Sequence, residues 1–298
     1  MQILTVDVGT GTQDVLLFDS DREIENCFKL VLPSPTVVTA DRVRSATAAG
    51  QRLVLQGVTM GGGPSHWATM DHLRAGLQVF ATPDAARTFD DDLDAVADMG
   101  ITVVSDDEAI RLADAGAANV FLRDLALGQL LQTLAAFGVQ IHLDGVAVAV
   151  FDHGAAPPGL SDRVFRFNYL RERLAQGLGL SGFAFPRHAV PPEMTRLRAV
   201  ATTVPSDLPL LLMDTAPAAI LGAHEDPGVR AARGPVVANV GNFHCLAFHL
   251  LDDEVVGLFE HHTGELSAER LGAYIDQLGH GSITNEAVFA DKGHGALV

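Results

Sequence analysis

The sequence predicts an α/β protein, and three observations carry that expectation. Short runs rich in Val, Leu and Ile alternate with Ala-rich stretches of helical length along most of the 298 residues. Ala, Gly, Val and Leu dominate while aromatics make up 6%, a composition suited to strands covered by helices. Several apolar runs end at a carboxylate or a glycine turn, where α/β sheets commonly present ligands. The length allows one large domain or two moderate ones, and a proline–glycine loop at Pro157-Pro158-Gly159 suggests two, 1–155 and 156–298.

The elements follow in order. Ile3, Leu4 and Val6 lead to Asp7, the turn Gly9-Thr10-Gly11-Thr12 follows, and Val15–Phe18 closes with Asp19: strand, turn, strand. The turn offers backbone N–H groups and hydroxyls without bulk, and Asp7 offers an oxygen to a hydrated cation, a combination suited to a phosphate carried with Mg2+. An ordinary hairpin is the alternative. A third strand is expected within 24–32, a helix from Thr39 to Gly50, a strand at 52–59, a helix from His66 and a strand at 77–81. Gly61, Gly62, Gly63 and Pro64 lie at a strand end, where Gly62, Gly63, Ser65 and His66 are candidates for substrate contact. The acidic groups Asp90–Asp92 and Asp106–Glu108 read as solvated helix starts. A strand at Val120–Leu122, a helix ending near Phe137 and a buried strand at 145–151 follow, the last ending in Asp152-His153-Gly154, a candidate substrate edge. Arg163, Arg166 and Arg171 either hold an anionic substrate or pair with surface acids. Residues 181–208, with Pro186, Pro191, Pro192 and Pro205, are expected to be irregular.

A second constellation begins at 209–213, an apolar run that leads to Asp214 and an Ala-rich helix. Val236–Phe248 then repeats strand, turn, strand around Asn239, Gly241, Asn242 and His244. Asp214 reads either as a base or as a helix N-cap.

Over roughly 1–80 and 205–250 the pattern resembles the actin, Hsp70 and sugar kinase superfamily, and its carbohydrate kinase branch most. The matching residues are Asp7, Gly9, Thr10, Phe18 and Asp19 in the first hairpin, and Asp214, Ala218, Ala219 and Gly222 before the second, where Asn239 and Gly241 match. The resemblance implies two ribonuclease H-like lobes of actin-like ATPase type, the second abbreviated. It implies an ATP-binding, magnesium-dependent kinase, a transferase acting on a small hydroxylated molecule. In it Asp7 would hold Mg2+, Gly9, Thr10, Gly11, Thr12, Asn239, Gly241, Asn242 and His244 would line ATP, and Asp214 would be the base. The sequence departs from the family at the adenosine motif. Its counterpart, Gly293-His294-Gly295-Ala296, is followed by two residues, which sets the expectation of ATP against a truncated pocket.

Six of the twelve histidines lie between 244 and 294. If the strand 255–259 continues, Glu260 and His262 share a face and His261 faces the other way. With His244 or His294 they offer a transition-metal site, Glu260 being the carboxylate ligand, for a metal-dependent hydrolase or lyase. Equally, His261 and His262 could contact substrate phosphates. A third possibility is a non-enzymatic phosphate-ligand sensor or assembly partner. The stretches 60–64, 151–154, 239–242, 260–264 and 293–295 also resemble a family of archaeal and bacterial proteins labelled as like the pyruvate formate-lyase activating enzyme. A radical enzyme of that type needs three clustered cysteines, whereas this chain has Cys27 and Cys245.

Charge and cysteine usage bound the remaining possibilities. With 37 acids against 20 bases, the net charge is −17 and a nucleic-acid partner is not expected. Two distant cysteines suit a reducing, cytoplasmic setting. No basic leader and no apolar run of membrane-spanning length is read, so the expected partner is a small molecule and not a membrane. Oligomeric state is not encoded in these patterns.

Overall fold

The first hairpin forms as its alternation dictates. In β1 (Gln2–Val8) Leu4, Val6 and Val8 are buried, and in β2 (Thr12–Asp19) Val15 and Leu17 are, so each strand has one inward face. A computed structural model describes residues 1–252 and 254–298 and is α/β throughout. After β2 come β3 (Phe28–Pro33) and α1 (Pro35–Ala48), whose cap is Ser34, five residues earlier than Thr39. Pro35 at the first helical position favours that earlier start, because its missing N–H costs nothing there. Next are β4 (Leu53–Gly57), α2 (Pro64–Arg74), β5 (Val79–Ala81), α3 (Pro83–Ala86), α4 (Leu93–Asp98), β6 (Ile101–Val103), α5 (Asp106–Asp114), β7 (Ala118–Leu122), α6 (Leu127–Ala136) and β8 (Gly145–Val150). Asp92 caps α4, and Asp106, Asp107 and Glu108 fill the first turn of α5, as the acidic clusters predict.

The chain divides into two compact units. The first comprises 1–150 and 195–210. Within it β3, β2, β1 and β8 lie side by side, with β1 antiparallel to β2 and parallel to β8. β4 and β5 do not join that sheet. They form a separate parallel sheet in the order β6-β5-β4-β7. Leu53, Val54 and Leu55 of β4 are all buried, because a parallel strand covered on both faces reads as a continuous apolar run. One face packs on Ala40, Val43 and Ala68 of α1 and α2, the other on Val104, Ala109 and Ala117.

The second unit comprises 151–194 and 211–298. It begins with α7 (Asp162–Leu174), a helix the arginine spacing alone does not announce. The stretch expected to be irregular holds β9 (Ala184–Pro186) and α8 (Thr195–Thr202), the latter belonging to the first unit. Pro186 ends β9, and Pro191, Pro192 and Pro205 lie between elements, where a missing N–H is tolerated. Then follow β10 (Leu210–Asp214), antiparallel to β9, α9 (Thr215–Ala223), α10 (Pro227–Ala231), β11 (Val236–Val240), β12 (His244–Leu251), β13 (Glu254–His262), α11 (Ala268–Gly279), α12 (Asn285–Ala290) and β14 (Gly295–Leu297). β11, β12, β13 and β14 form an antiparallel sheet in sequence order. The candidate adenosine turn at 293–296 therefore leads into an edge strand. Phe167, Leu170, Phe183, Phe248 and Leu258 fill one side of this unit, and Phe259, Tyr274 and Leu278 the other. Among the described residues no helix is long and apolar enough to cross a membrane.

Candidate functional site

In the first unit the turn Gly9–Thr12 closes through Gly9 N–H donating to the Thr12 carbonyl at 2.9 Å. A β-carbon at Gly9 would lie 2.9 Å from that oxygen, so the closure needs glycine. Asp7 faces Asp14 across β1 and β2 and is exposed. The Ser34 hydroxyl donates to the Thr10 carbonyl at 2.6 Å and its N–H donates to Gly11 at 3.1 Å, so the cap of α1 also fixes the turn. The Gly61–Gly63 turn runs against it, with Gly63 backing on the Thr10 methyl. The Thr36 hydroxyl donates to the Gly62 carbonyl and accepts from Ser65 N–H. Asp124 accepts the Gly61 N–H at 3.0 Å and pairs with Arg196 through two contacts of 2.6 and 2.9 Å. His66, in the first turn of α2, rests beside Phe89, and burial lowers its pKa. The turn residues Gly9–Thr12 and Gly62–Gly63 thus share one hydroxyl-lined region.

In the second unit Asp214 caps α9, accepting Ala216 N–H at 2.9 Å. It also accepts Asp152 N–H at 2.9 Å and two bonds from Arg166, at 3.0 and 3.1 Å. Each carboxylate oxygen accepts twice, so both lone pairs on each are engaged. Asp152 is buried and accepts Gly154 N–H. Glu260 is fully buried, with both oxygens on Arg166 at 2.5 and 2.6 Å, an arrangement that leaves it a guanidinium partner rather than a metal ligand. Burial pushes the Glu260 carboxyl up, against the pull of Arg166. Burial also opposes the Arg166 charge, but Asp214 and Glu260 more than offset this and raise the guanidinium above its ordinary value. The arginine trio separates on α7: Arg166 is buried, Arg163 donates to the Gly293 carbonyl at 2.9 Å, and Arg171 stays on the surface beside Asn168. The expectation of surface pairing fails at Arg166, because α7 turns that residue inward onto two buried acids.

β13 does continue through 260–262, with the expected alternation. His261 is buried on the far side, beside Tyr274 and 3.7 Å from Asp291. Glu260, His261 and His262 therefore do not converge. The imidazoles that converge are His153, His244 and His294, each able to offer a ring nitrogen with all three within 4.8 Å of one another. His153 and His294 approach to 3.1 Å between Nε2 atoms. His262 borders the group, its ring 4.6 Å from that of His294 and 5.4 Å from that of His244. Burial, then the positive character of His153, His244, Arg166 and His262, holds His294 far below the ordinary imidazole range. It is neutral at physiological pH, the form that ligates a metal. Burial, with His261 and Arg163, lowers His262 as well.

Local structure explains the placement. His153 follows β8 at a strand end, His244 opens β12 and His294 precedes β14. The second hairpin closes as the first does, with Gly241 N–H donating to the His244 carbonyl at 2.9 Å, and Thr263 bonds to both Gly241 and Phe243. Asn239 lies on β11 opposite Leu246 and Asn242 is exposed in the turn. Gly293, Gly154 and Gly295 flank the histidines. A β-carbon at Gly293 would fall 2.5 Å from the His261 ring. For His153 and His294 the available signal was a histidine next to glycine at a strand end, and for His244 its place after the Gly241 turn. The role of Arg166 had none.

A family model described as "Putative pyruvate format-lyase activating enzyme (DUF1786)" matches residues 60–298. No curated protein matches the chain.

Proposed function

The chain belongs to this DUF1786 family, and from that premise we propose that it is a metal-dependent hydrolase or lyase whose centre is His153, His244 and His294. One observation carries the reading: three imidazoles from distant segments, with ring nitrogens within 4.8 Å of one another. Three histidines suit zinc, iron or a neighbouring divalent ion and leave a coordination position for water or substrate. Such an ion would supply Lewis acidity and a bound water of lowered pKa. The chain's own part is to keep His294 neutral by burial and to present His262 at the rim, within reach of a reacting group. Iron–sulfur chemistry of the sort the family's description evokes is not supported. The matched stretch contains Cys245 alone, buried and with its thiol pushed up to about 11 by burial, whereas a cluster needs several thiolates.

The test is metal analysis of the purified chain before and after incubation with Zn2+, Fe2+ or Co2+. One equivalent bound by the wild type, and lost in His153→Ala, His244→Ala and His294→Ala, is expected. No uptake of any of the three ions would overturn the reading.

A second reading is favoured by the matched closure of the two hairpins, Gly9 N–H to Thr12 and Gly241 N–H to His244, both 2.9 Å. It is the phosphate-binding reading of the actin-like superfamily, with Mg2+ on Asp7 and ATP or a simpler phosphate at the Gly9–Thr12 turn. The strand order β3-β2-β1 with a parallel neighbour is compatible with a ribonuclease H-like lobe in which β8, rather than β4, follows. Because Asp214 is engaged at every lone pair, this reading favours a phosphate-ligand-binding protein over a kinase with Asp214 as base. Calorimetry with Mg-ATP, Mg-ADP and pyrophosphate decides it: saturable binding lost in Asp7→Ala supports the reading, and no heat from any of them removes it.

A further inference from the structure

We propose that Arg166 is the positioning residue of the three-histidine centre, one buried guanidinium fixing the placement of all three rings; this rests on the metal reading above. Three separate paths lead from it. Toward His153, Arg166 Nη1 donates to the Asp152 carbonyl at 2.8 Å, and the Asp152 N–H donates to Asp214, itself held by two Arg166 bonds. Asp152, the residue just before His153, is therefore held through both its backbone carbonyl and its backbone N–H. Toward His244, the guanidinium lies 4.1 Å over the Phe151 ring, and the His244 ring stacks on Phe151 at 4.0 Å and 13°. Phe151 is sandwiched and transmits the position of one group to the other. Toward His294, both oxygens of Glu260 sit on Arg166, and the Glu260 carbonyl accepts the His294 N–H at 2.9 Å.

The arrangement uses the whole guanidinium. Nε donates to Glu260, Nη1 to Asp152 and Asp214, and Nη2 to Asp214 and Glu260, which occupies all five N–H groups. Lysine has three donors on one atom and cannot reproduce a planar fork that faces two carboxylates and a carbonyl. A buried ion cluster of this kind is weak evidence for stability alone. Its attachment to three candidate ligands gives it a second task, the orientation that outer groups give to metal-binding histidines.

The test uses the metal-stripped full chain, with Zn2+ affinity measured by chelator competition and the visible spectrum recorded after Co2+ loading. Both are read well below the melting temperature of each variant. Arg166→Lys keeps the charge; Zn2+ affinity is expected to fall by roughly 10–100-fold, with a changed Co2+ spectrum. Phe151→Leu interrupts only the path to His244, and a smaller loss with a spectral change is expected. A merely structural role would lower the melting temperature and leave the Co2+ spectrum of the folded protein as in the wild type. Unchanged affinity and spectrum in both variants would overturn the proposal while leaving the metal centre standing. If Arg166→Lys does not fold, an unchanged Phe151→Leu spectrum overturns it alone. A wild type that binds neither ion fails at the earlier step and removes the centre together with its positioning residue.

Discussion

Each compact unit sets an arginine against buried acidic side chains, and the two clamps differ in what they hold. Arg196 pairs with Asp124 and keeps 17% of its side chain exposed; Arg166 pairs with Asp214 and Glu260 and keeps 2%. Asp124 passes its hold to the Gly61 N–H, and so to a glycine turn among the hydroxyls of Thr36 and Ser65. Arg166 passes its hold to Asp152, Phe151 and Glu260, each of which leads to an imidazole. The same ion-pair chemistry thus fixes a turn suited to anions in one unit and a nitrogen-rich cluster suited to a metal in the other. The contrast teaches that a buried salt bridge is read by what it positions more than by the charges in it.

The sharpest way to break the comparison is to remove each arginine. Arg166→Met leaves two buried carboxylates without a cation, and a loss of about 3–5 kcal/mol in urea unfolding is expected. Arg196→Met leaves Asp124 with the Gly61 N–H and a partly wet neighbourhood, so roughly 1.5–3 kcal/mol is expected. Equal losses would put the two clamps in one class. Metal addition separates them next. Zn2+ at a hundred times its dissociation constant should stabilise the wild type by about 2.7 kcal/mol. Arg196→Met should keep that increment, and His294→Asn should lose it.

A pH series gives a smaller effect of fixed sign. Burial lowers His294 below its ordinary value of 6.5, so between the two values the unfolded chain binds a proton that the folded chain refuses. Stability of the metal-free protein is therefore full above 6.5 and falls as pH drops below it, by up to about 1.4 kcal/mol per pH unit for this one group. His262, also lowered by burial, acts in the same direction. His294→Asn should flatten the slope and Arg196→Met should not; a slope unchanged in His294→Asn would contradict the burial argument. The smallest effect concerns the hairpins. Gly9→Ala and Gly241→Ala each place a β-carbon about 3 Å from a turn carbonyl and should cost roughly 1 kcal/mol. Only Gly241→Ala should also weaken Zn2+ binding, since its N–H bonds to the His244 carbonyl.

Both hairpins were legible in the sequence because local alternation and turn chemistry decide them without help from the rest of the chain. So were β8, α9 and the continuation of β13; Asp214, favoured as a base, caps α9. Three-residue strands such as β6 and β9 were not, since tertiary pairing rather than periodicity defines them. α7 was hidden by the absence of a strong apolar stripe: it presents Arg166, Phe167 and Leu170 to the core, and a charged residue among them reads as surface. At the site, Asp152, His153, His244, Glu260, His262 and His294 all drew attention singly. Their grouping could not be read, because His153 and His294 are 141 positions apart and meet only in the folded chain. The alternation of β13 did set His261 on the face opposite Glu260 and His262, but it could not show that Glu260 turns to Arg166.

The most direct test is anomalous diffraction at the zinc edge from crystals of the Zn2+-loaded chain. The account predicts one peak bonded to ring nitrogens of His153, His244 and His294, at about 2.0–2.1 Å from each. A peak elsewhere, or crystals that take up no zinc at these three residues, would contradict it.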